Sequence, residues 1–593
     1  MSKTVLRLRH ITLAPPSIGP MVAGKLDQLT MARLGHDDAL GRPLLIGALP
    51  LACAHLGGDL GRALFTPWHA LTFGRQTSNI GLMAFDQDGL RQHDGPCLIF
   101  LVHAQPPGLQ LPDITPGVLR PFAPLPEALA HFEPDSTHHD CRPALCRAIW
   151  RAMRLLQGRA RDVVPHLPGL SPQSAPAPQP ARTTTRFVLG SCLYPGGMLE
   201  ETPYPGDWCP AAADQSMALL HDLRNQPSAP PLDFALLVGD QVYLDATAGL
   251  FDPAMLADRF GAPYLKWLGR PMVRRALAGL PVHTMLDDHE LTDNWEPVHT
   301  QARSWHDEDA HPSVHHYNRD LLAKGLISYL TFQGPVIHAP QGLSRPKLWR
   351  LVGTHEDPEM VFMADTRTRR QLRNTRTIDT ADIMDTTQFD ALCDWLRRSG
   401  QHPTTPRFLA CPTMLLPRRR LAVGPTPASA LHSDAWDGFP HAMHRLLANL
   451  YEHDCRNVVL LSGDEHLASV SFVDIRKEGA AHTVRIHVVH TPGLYTPFPF
   501  ANARPIDFLT PDAFDFNWPD DAGTPARYHC NVQTWFAPPI NGFVLIDAPR
   551  QLDPENPIRL GFMLSDSAQA HHPAPVPDQG TSDIVTLYVQ PAS

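Results

Sequence analysis

Met285-Leu286-Asp287-Asp288-His289-Glu290-Leu291-Thr292-Asp293-Asn294-Trp295 is the stretch on which this chain turns. Between Asp287 and Asn294 it packs three aspartates, a glutamate, a histidine and an asparagine behind an apolar lead-in. Like charges this close repel one another, and carboxylates are costly to bury without partners. A bound cation is the simplest compensation, and Asp, His and Asn are suitable ligands for one.

Three other segments share the design. Phe234-Ala235-Leu236-Leu237-Val238 ends in Gly239-Asp240-Gln241-Val242-Tyr243-Leu244-Asp245. Asn457-Val458-Val459-Leu460-Leu461 ends in Ser462-Gly463-Asp464-Glu465-His466, and Arg186-Phe187-Val188-Leu189 runs into Gly190-Ser191-Cys192. Each reads as a short buried strand that delivers a ligand-type residue as it leaves a sheet. Glycine beside the acidic residue permits a sharp turn and a close approach to a bound group. Taken singly, Asp240 is a turn residue, Cys192 a small core residue and Tyr243 core or rim packing. Four such strand ends in one chain point to a metal centre beyond the carboxyl ends of an α/β sheet.

The chain has 593 residues, 43% hydrophobic and 19% charged, which suits a soluble protein of several domains. A net charge of −10 gives no reason to expect nucleic acid or an anionic membrane as partner. No apolar run approaches the roughly 20 residues of a membrane span. The first ten residues lack a signal-peptide core or a twin-arginine pair, so a cytoplasmic location is expected. The ten cysteines include no CxxC pair, and Cys141 and Cys146, the closest together, read as reduced thiols.

A proline-rich segment, residues 165–182, reads as an extended linker. It separates an N-terminal domain of unknown role (1–164), with strands near Val5–Leu13 and Cys97–Val102 and a helix near Arg142–Arg161, from a catalytic domain over 183–550. Residues 551–593 are expected as a tail packing on that domain. Gly19-Pro20-Met21-Val22-Ala23-Gly24-Lys25-Leu26 is a near miss to a phosphate loop, with Leu26 where Ser or Thr would hold magnesium. After the linker, strands (Phe187–Leu189, Phe234–Val238, Val282–Leu286, Val361–Ala364, Val458–Leu461, Val484–Val489) alternate with helical patterns (Ala211–Asn225, Tyr317–Phe332, Gln388–Arg398, Phe439–His453). That alternation predicts layered α/β.

Gly190-Ser191-Cys192, Gly239-Asp240-Gln241-Val242-Tyr243, Asp287-Asp288-His289-Glu290 with Asp293-Asn294, and Ser462-Gly463-Asp464-Glu465-His466 together resemble the PhoD-like alkaline phosphatase D family. That family lies within the calcineurin-like and purple-acid-phosphatase-like metallophosphoesterases. Ala364-Asp365-Thr366-Arg367 is similar to its Asp-x-Arg segment. The resemblance spans roughly residues 183–550. It implies a four-layer α/β/β/α sandwich, here preceded by a separate mixed N-terminal domain. Many family members carry a secretion signal and a compact β-sandwich; this chain departs from that pattern, which puts an extracellular role in doubt.

The resemblance also implies a dinuclear or multinuclear centre of ferric iron with calcium, Mn2+ or Zn2+ being alternatives. Asp240 would bridge, Cys192 and Tyr243 would lie on the iron side, and Asp464 and His466 would close the cluster. Asp288 and Asn294 would hold the second position. The residues agree: thiolate, phenolate and three carboxylates need a strong Lewis acid, and a phenol ionises near neutrality only beside one. His289 is the expected catalytic residue, neutralising phosphoryl oxygens or protonating the leaving alkoxide. Arg367 is expected to grip phosphate, with a salt bridge to Asp365 as the alternative. Asp287 and Glu290 suit either ligand-orienting or plain surface roles. Arg369, Arg370, the run Arg418-Arg419-Arg420 and the acidic loop Trp305–His316 read as solvated, while Thr491–Pro497 is a candidate substrate wall.

The expected activity is hydrolysis of small phosphomonoesters, phosphodiesters or both, by a metal-activated hydroxide attacking phosphorus. The alternative is an inactive scaffold of the same fold stabilised by metal. A serine esterase lacks support, since no G-x-S-x-G elbow is present.

Overall fold

A computed structural model describes seven strands between residues 8 and 103. Apart from single-residue gaps it also describes 183–195, 212–245, 280–297, 348–496, 503–520, 523–565 and 584–587, with helical pieces within 259–277 and 321–333. The helix expected at 142–161, the linker at 165–182, Cys141, Cys146 and the acidic loop 305–316 lie outside the described residues. Among the described residues no helix is long and apolar enough to cross a membrane.

The chain divides into two compact units, one of residues 1–180, 253–281 and 327–346, the other of 181–252, 282–326 and 347–593. In the first, β1 (Leu8–Leu13), β2 (Met21–Leu26), β5 (His69–Phe73) and β6 (Gln76–Ala84) form a sheet in the order β1-β2-β6-β5. A second sheet has the order β4-β3-β7, from β3 (Leu44–Pro50), β4 (Leu64–Pro67) and β7 (Cys97–His103). Residues 21–26 of the near miss to a phosphate loop are therefore strand β2. No composition break announces the two later segments, 253–281 and 327–346, that join this unit.

The second unit is mixed α/β, built on two sheets. In one, β10 (Val282–Met285), β9 (Phe234–Val238) and β8 (Thr184–Leu193) run parallel, and β20 (Gly542–Pro549), β21 (Ile558–Leu564) and β22 (Ile584–Leu587) continue antiparallel. A short β17 (Gly493–Tyr495) also lies parallel to β8. The sheet thus includes two strands past residue 550, β21 and β22.

The other sheet has the order β11 (Arg350–Val352), β12 (Val361–Met363), β13 (Arg407–Ala410), β14 (Val458–Ser462), β16 (Thr483–His490), β15 (Ser469–Lys477), β19 (Pro525–Phe536) and β18 (Asp512–Pro519). Strands β12, β13, β14 and β16 are its parallel half.

Alternation along the strands decides which residues meet. Phe187 and Leu189, Leu236 and Val238, Phe408 and Ala410, and Val459 and Leu461 all point into one core between the sheets. There the Phe187 and Phe408 rings meet edge-on, 5.1 Å apart. The intervening residues Phe362, Leu409, Val458 and Leu460 point the other way, against two helices. One helix is α2 (Thr386–Gly400), whose Phe389, Leu392, Trp395, Leu396 and Ser399 bury a stripe at helical spacing. Asp385 caps it by accepting the Gln388 N–H. The other is α3 (Pro440–Glu452), opened by a proline that lacks only an N–H the first turn does not use. Helix α1 (Gln215–Asn225) lies beside β17, where the Ser216 hydroxyl donates to the Leu494 carbonyl.

Candidate metal centre

Parallel strands of both sheets, β8, β9 and β10 in one and β14 in the other, deliver the residues singled out above. Cys192 is near the end of β8, while Asp240, Asp288 and Asp464 follow β9, β10 and β14. Local backbone geometry is unusual there. Among the described residues, six non-glycine residues have positive φ, and five are expected ligands: Cys192 (56°), Asp240 (57°), Asn294 (51°), Asp464 (83°) and His466 (55°). A left-handed conformation is costly for residues with a Cβ and persists where surrounding structure enforces it. Here it turns successive strand ends inward onto one point. Gly239, at φ 99°, shows how tight the packing is, because a Cβ there would lie 2.5 Å from the Cβ of Asp287.

Three overlapping groups have ligand atoms within 4.8 Å of one another: Cys192, Asp240 and His466; Asp240, Asp288 and His289; and Asp240, Asp287, Asp288 and Asp464. Asp240 belongs to all three, as a bridging ligand would. Tyr243 is buried, its ring 4.2 Å from that of His289, and its hydroxyl has no hydrogen-bond partner. Asn294 donates its backbone N–H to Asp288 and its amide nitrogen to Asp293.

The donor set fits a cation. Burial and the neighbouring Asp288 push the Asp240 carboxyl well above the usual range, and burial with Asp287 does the same to Asp464. Burial followed by the charge of Asp240 raises the Cys192 thiol, and burial followed by Cys192 raises Tyr243. Anions so disfavoured in the protein alone are those that positive charge at their focus would stabilise. Asp288 Oδ1 and Tyr243 Oη, both buried without a hydrogen bond, supply oxygen donors at that focus.

Around this cluster the supporting residues divide clearly. Glu290 is wholly buried and accepts the backbone N–H groups of Asp240 (3.0 Å), Asp287 (2.9 Å) and Val242 (3.1 Å), tying two ligand-bearing loops together. Asp245 accepts from His289 Nδ1 at 2.8 Å and from the Asp293 N–H. Burial opposes charging His289, but Asp245 and Asp288 outweigh it and hold the imidazole well above its ordinary value. The His289 side chain remains 20% exposed, with Nε2 3.8 Å from Asp293.

Several expectations are corrected. Arg367 has no exposure to offer a substrate, and it is not paired with Asp365. Its Nε and Nη1 donate to Asp287 (2.6 Å) and Asp434 (2.7 Å), while Asp365 accepts backbone N–H groups of its own turn. Arg370 is buried too, its guanidinium over the Phe439 ring. Arg418 and Arg419 are paired with Asp512 and Glu465 rather than solvated. Thr491 to Tyr495 is buried and ends in β17, so these residues form no open wall. The sequence gives no sign of Asp434, which lies with Asp437 in a loop that follows no apolar strand run. Asp245 stood five residues past Asp240 in a segment already singled out.

Residues 209–493 match the family model of the PhoD-like phosphatases. This segment of the chain is a PhoD-like phosphatase domain. The match begins beyond Cys192, so the β8 contribution to the site lies outside it. A solved structure titled "Structure of PhoD" is similar over 97% of this chain and 88% of its own, at 12% identity and a TM-score of 0.45. No curated protein matches. The match supports a hydrolase of phosphatase type, and the acidic and histidine clusters are groups that could hold a metal.

Proposed function

We propose that the chain hydrolyses small phosphomonoesters, phosphodiesters or both at a centre bridged by Asp240. The observation that carries this is the convergence on Asp240 of Cys192, Asp464 and His466, all left-handed like Asp240 itself, together with Asp287, Asp288 and His289. In this proposal Cys192 and Tyr243 would lie on the side of a ferric iron, Asp464 and His466 would close the cluster, and Asp288 and Asn294 would hold calcium, with Mn2+ or Zn2+ as alternative metals. When bound, the cations supply the Lewis acidity that activates water and neutralises phosphoryl charge.

The remaining steps belong to the chain. Asp245 holds Nδ1 of His289, leaving Nε2 at the partly open face to give a proton to the departing alkoxide. Glu290 keeps the Asp240 and Asp288 loops in register. Helix α1 is assigned to the outer side of the β8 sheet, completing an α/β/β/α order, and the first unit is assigned to an N-terminal domain.

Elemental analysis of purified protein, paired with hydrolysis of generic mono- and diesters, tests the proposal on Asp240→Asn. The variant is expected to lose both metal and turnover, and full activity in it would refute the assignment. Bound metal with no turnover on any ester in the wild type would favour the scaffold alternative.

A further inference from the structure

Behind the metal centre lies a buried ladder of charges. Arg367, Arg370 and Arg373 follow β12 at three-residue spacing and are 0%, 4% and 1% exposed. They face the carboxylates of Asp287, Asp434 and Glu296. Arg370 Nη1 lies between Asp434 (3.6 Å) and Glu296 (3.8 Å). Arg373 pairs with Glu296 through Nη2 and donates from Nη1 to the carbonyl oxygens of Ser433 and Gly438. Three guanidinium charges thus meet three carboxylates, and the ladder balances itself.

Arg370 Nη1 and Nη2 make no hydrogen bond within the ladder, and neither does one nitrogen of Arg367, which faces the metal cluster. Arg367 Nη2 makes no hydrogen bond and lies 3.7 Å from Asp288 Oδ1 and 3.9 Å from Asp464 Oδ2. Those distances are too long for hydrogen bonds but short enough for charge attraction in a buried site. The two carboxylates arrive from different sheets, after β10 and after β14, and both belong to the cluster around Asp240. Two bonds stop the guanidinium from closing on them: Nε to Asp287 and Nη1 to Asp434.

We propose that Arg367, restrained by Asp434, is a built-in counter-ion that holds the Asp288 and Asp464 carboxylates in a metal-ready arrangement before any ion arrives. Arg367 and Asp434 are positioning residues; neither touches substrate. The inference rests on the reading that the cluster binds cations. It gives opposite expectations for the two residues. Without Arg367 the metal-free protein loses the positive group facing two ligand carboxylates, and a bound cation substitutes for it. Without the Asp434 charge, Arg367 is free to close onto Asp288 and Asp464 and compete with the cation.

The test is thermal unfolding of chelator-stripped protein, with and without added Ca2+ or Mn2+, for wild type, Arg367→Met and Asp434→Asn. The metal-induced rise in Tm is expected to exceed that of wild type by about 5 °C in R367M and to fall short of it by a similar amount in D434N. R367M that folds only with metal also supports the proposal. Equal losses in stripped and loaded protein for both variants overturn it, because a plain core salt bridge behaves that way. D434N, which removes a charge but almost no volume, decides alone where R367M does not fold. Absence of any metal shift in wild type sinks the metal reading itself; a wild-type shift with parallel losses in the variants sinks only this inference.

Discussion

Asp245→Asn is the sharpest probe of the proposed chemistry. The wild-type carboxylate uses both oxygens, Oδ1 for His289 Nδ1 at 2.8 Å and Oδ2 for the Asp293 N–H. An amide has one acceptor. If its oxygen keeps the Asp293 N–H, its NH2 faces Nδ1, and the ring can no longer carry a proton on that nitrogen. An imidazolium that donates from Nε2 is then disfavoured where the carboxylate had stabilised it. General acid catalysis of this type contributes about 10²–10⁴ in rate, or roughly 3–5 kcal/mol of barrier. The effect depends on the leaving group, since an alkoxide needs the proton and a nitrophenolate hardly does. Turnover of alkyl phosphate esters should therefore fall by about 10²–10⁴, and that of p-nitrophenyl esters by about tenfold at most, with metal content unchanged. Steady-state kinetics on the two ester classes gives the answer. Equal losses on both, or none on either, would refute the assignment of His289 as proton donor.

Other outcomes follow from the same geometry. Glu290→Ala leaves three buried N–H groups unpaired, at about 1–3 kcal/mol each where water does not replace the carboxylate; denaturant unfolding of stripped protein should show the loss, together with reduced metal content. Gly239→Ala combines φ 99° with a 2.5 Å clash against Asp287, so metal binding should fail even if the fold survives, as elemental analysis would reveal. His487 is lowered by burial to about 4. With its folded value below the unfolded value of about 6.5, its contribution is intact above that pH and is lost as pH falls toward 4, by up to roughly 3 kcal/mol. Urea midpoints between pH 7 and 4 should decline less steeply in His487→Gln than in wild type.

Much of the site was legible from local pattern. A short apolar run closing in Gly-Asp or Ser-Gly-Asp marks a buried strand and its ligand within about ten residues, and β9, β10 and β14 begin and end close to the expected places. The antiparallel strands β18 and β19 were not foreseen, although Phe514, Phe516 and Trp518, and Tyr528, Cys530 and Val532, alternate with polar residues as a half-buried strand requires. The arginines were misjudged as well. Arg367, Arg370, Arg418 and Arg419 look solvated or substrate-facing in sequence, since nothing nearby announces Asp434, Glu296, Asp512 or Glu465 as their partners.

Residue type and short spacing alone determined the strands that deliver the ligands and which residues can bind a cation, and the resemblance those motifs carry set the phosphorus chemistry to expect. Only the tertiary structure decided that Asp240 is common to every ligand group, that Asp245 holds His289 from 44 residues away, and that Arg367 faces the ligands from within across 67 residues to Asp434. Propensity and hydrophobic period act over a few residues, whereas charge pairing in a buried site depends on which distant loops the two sheets bring together.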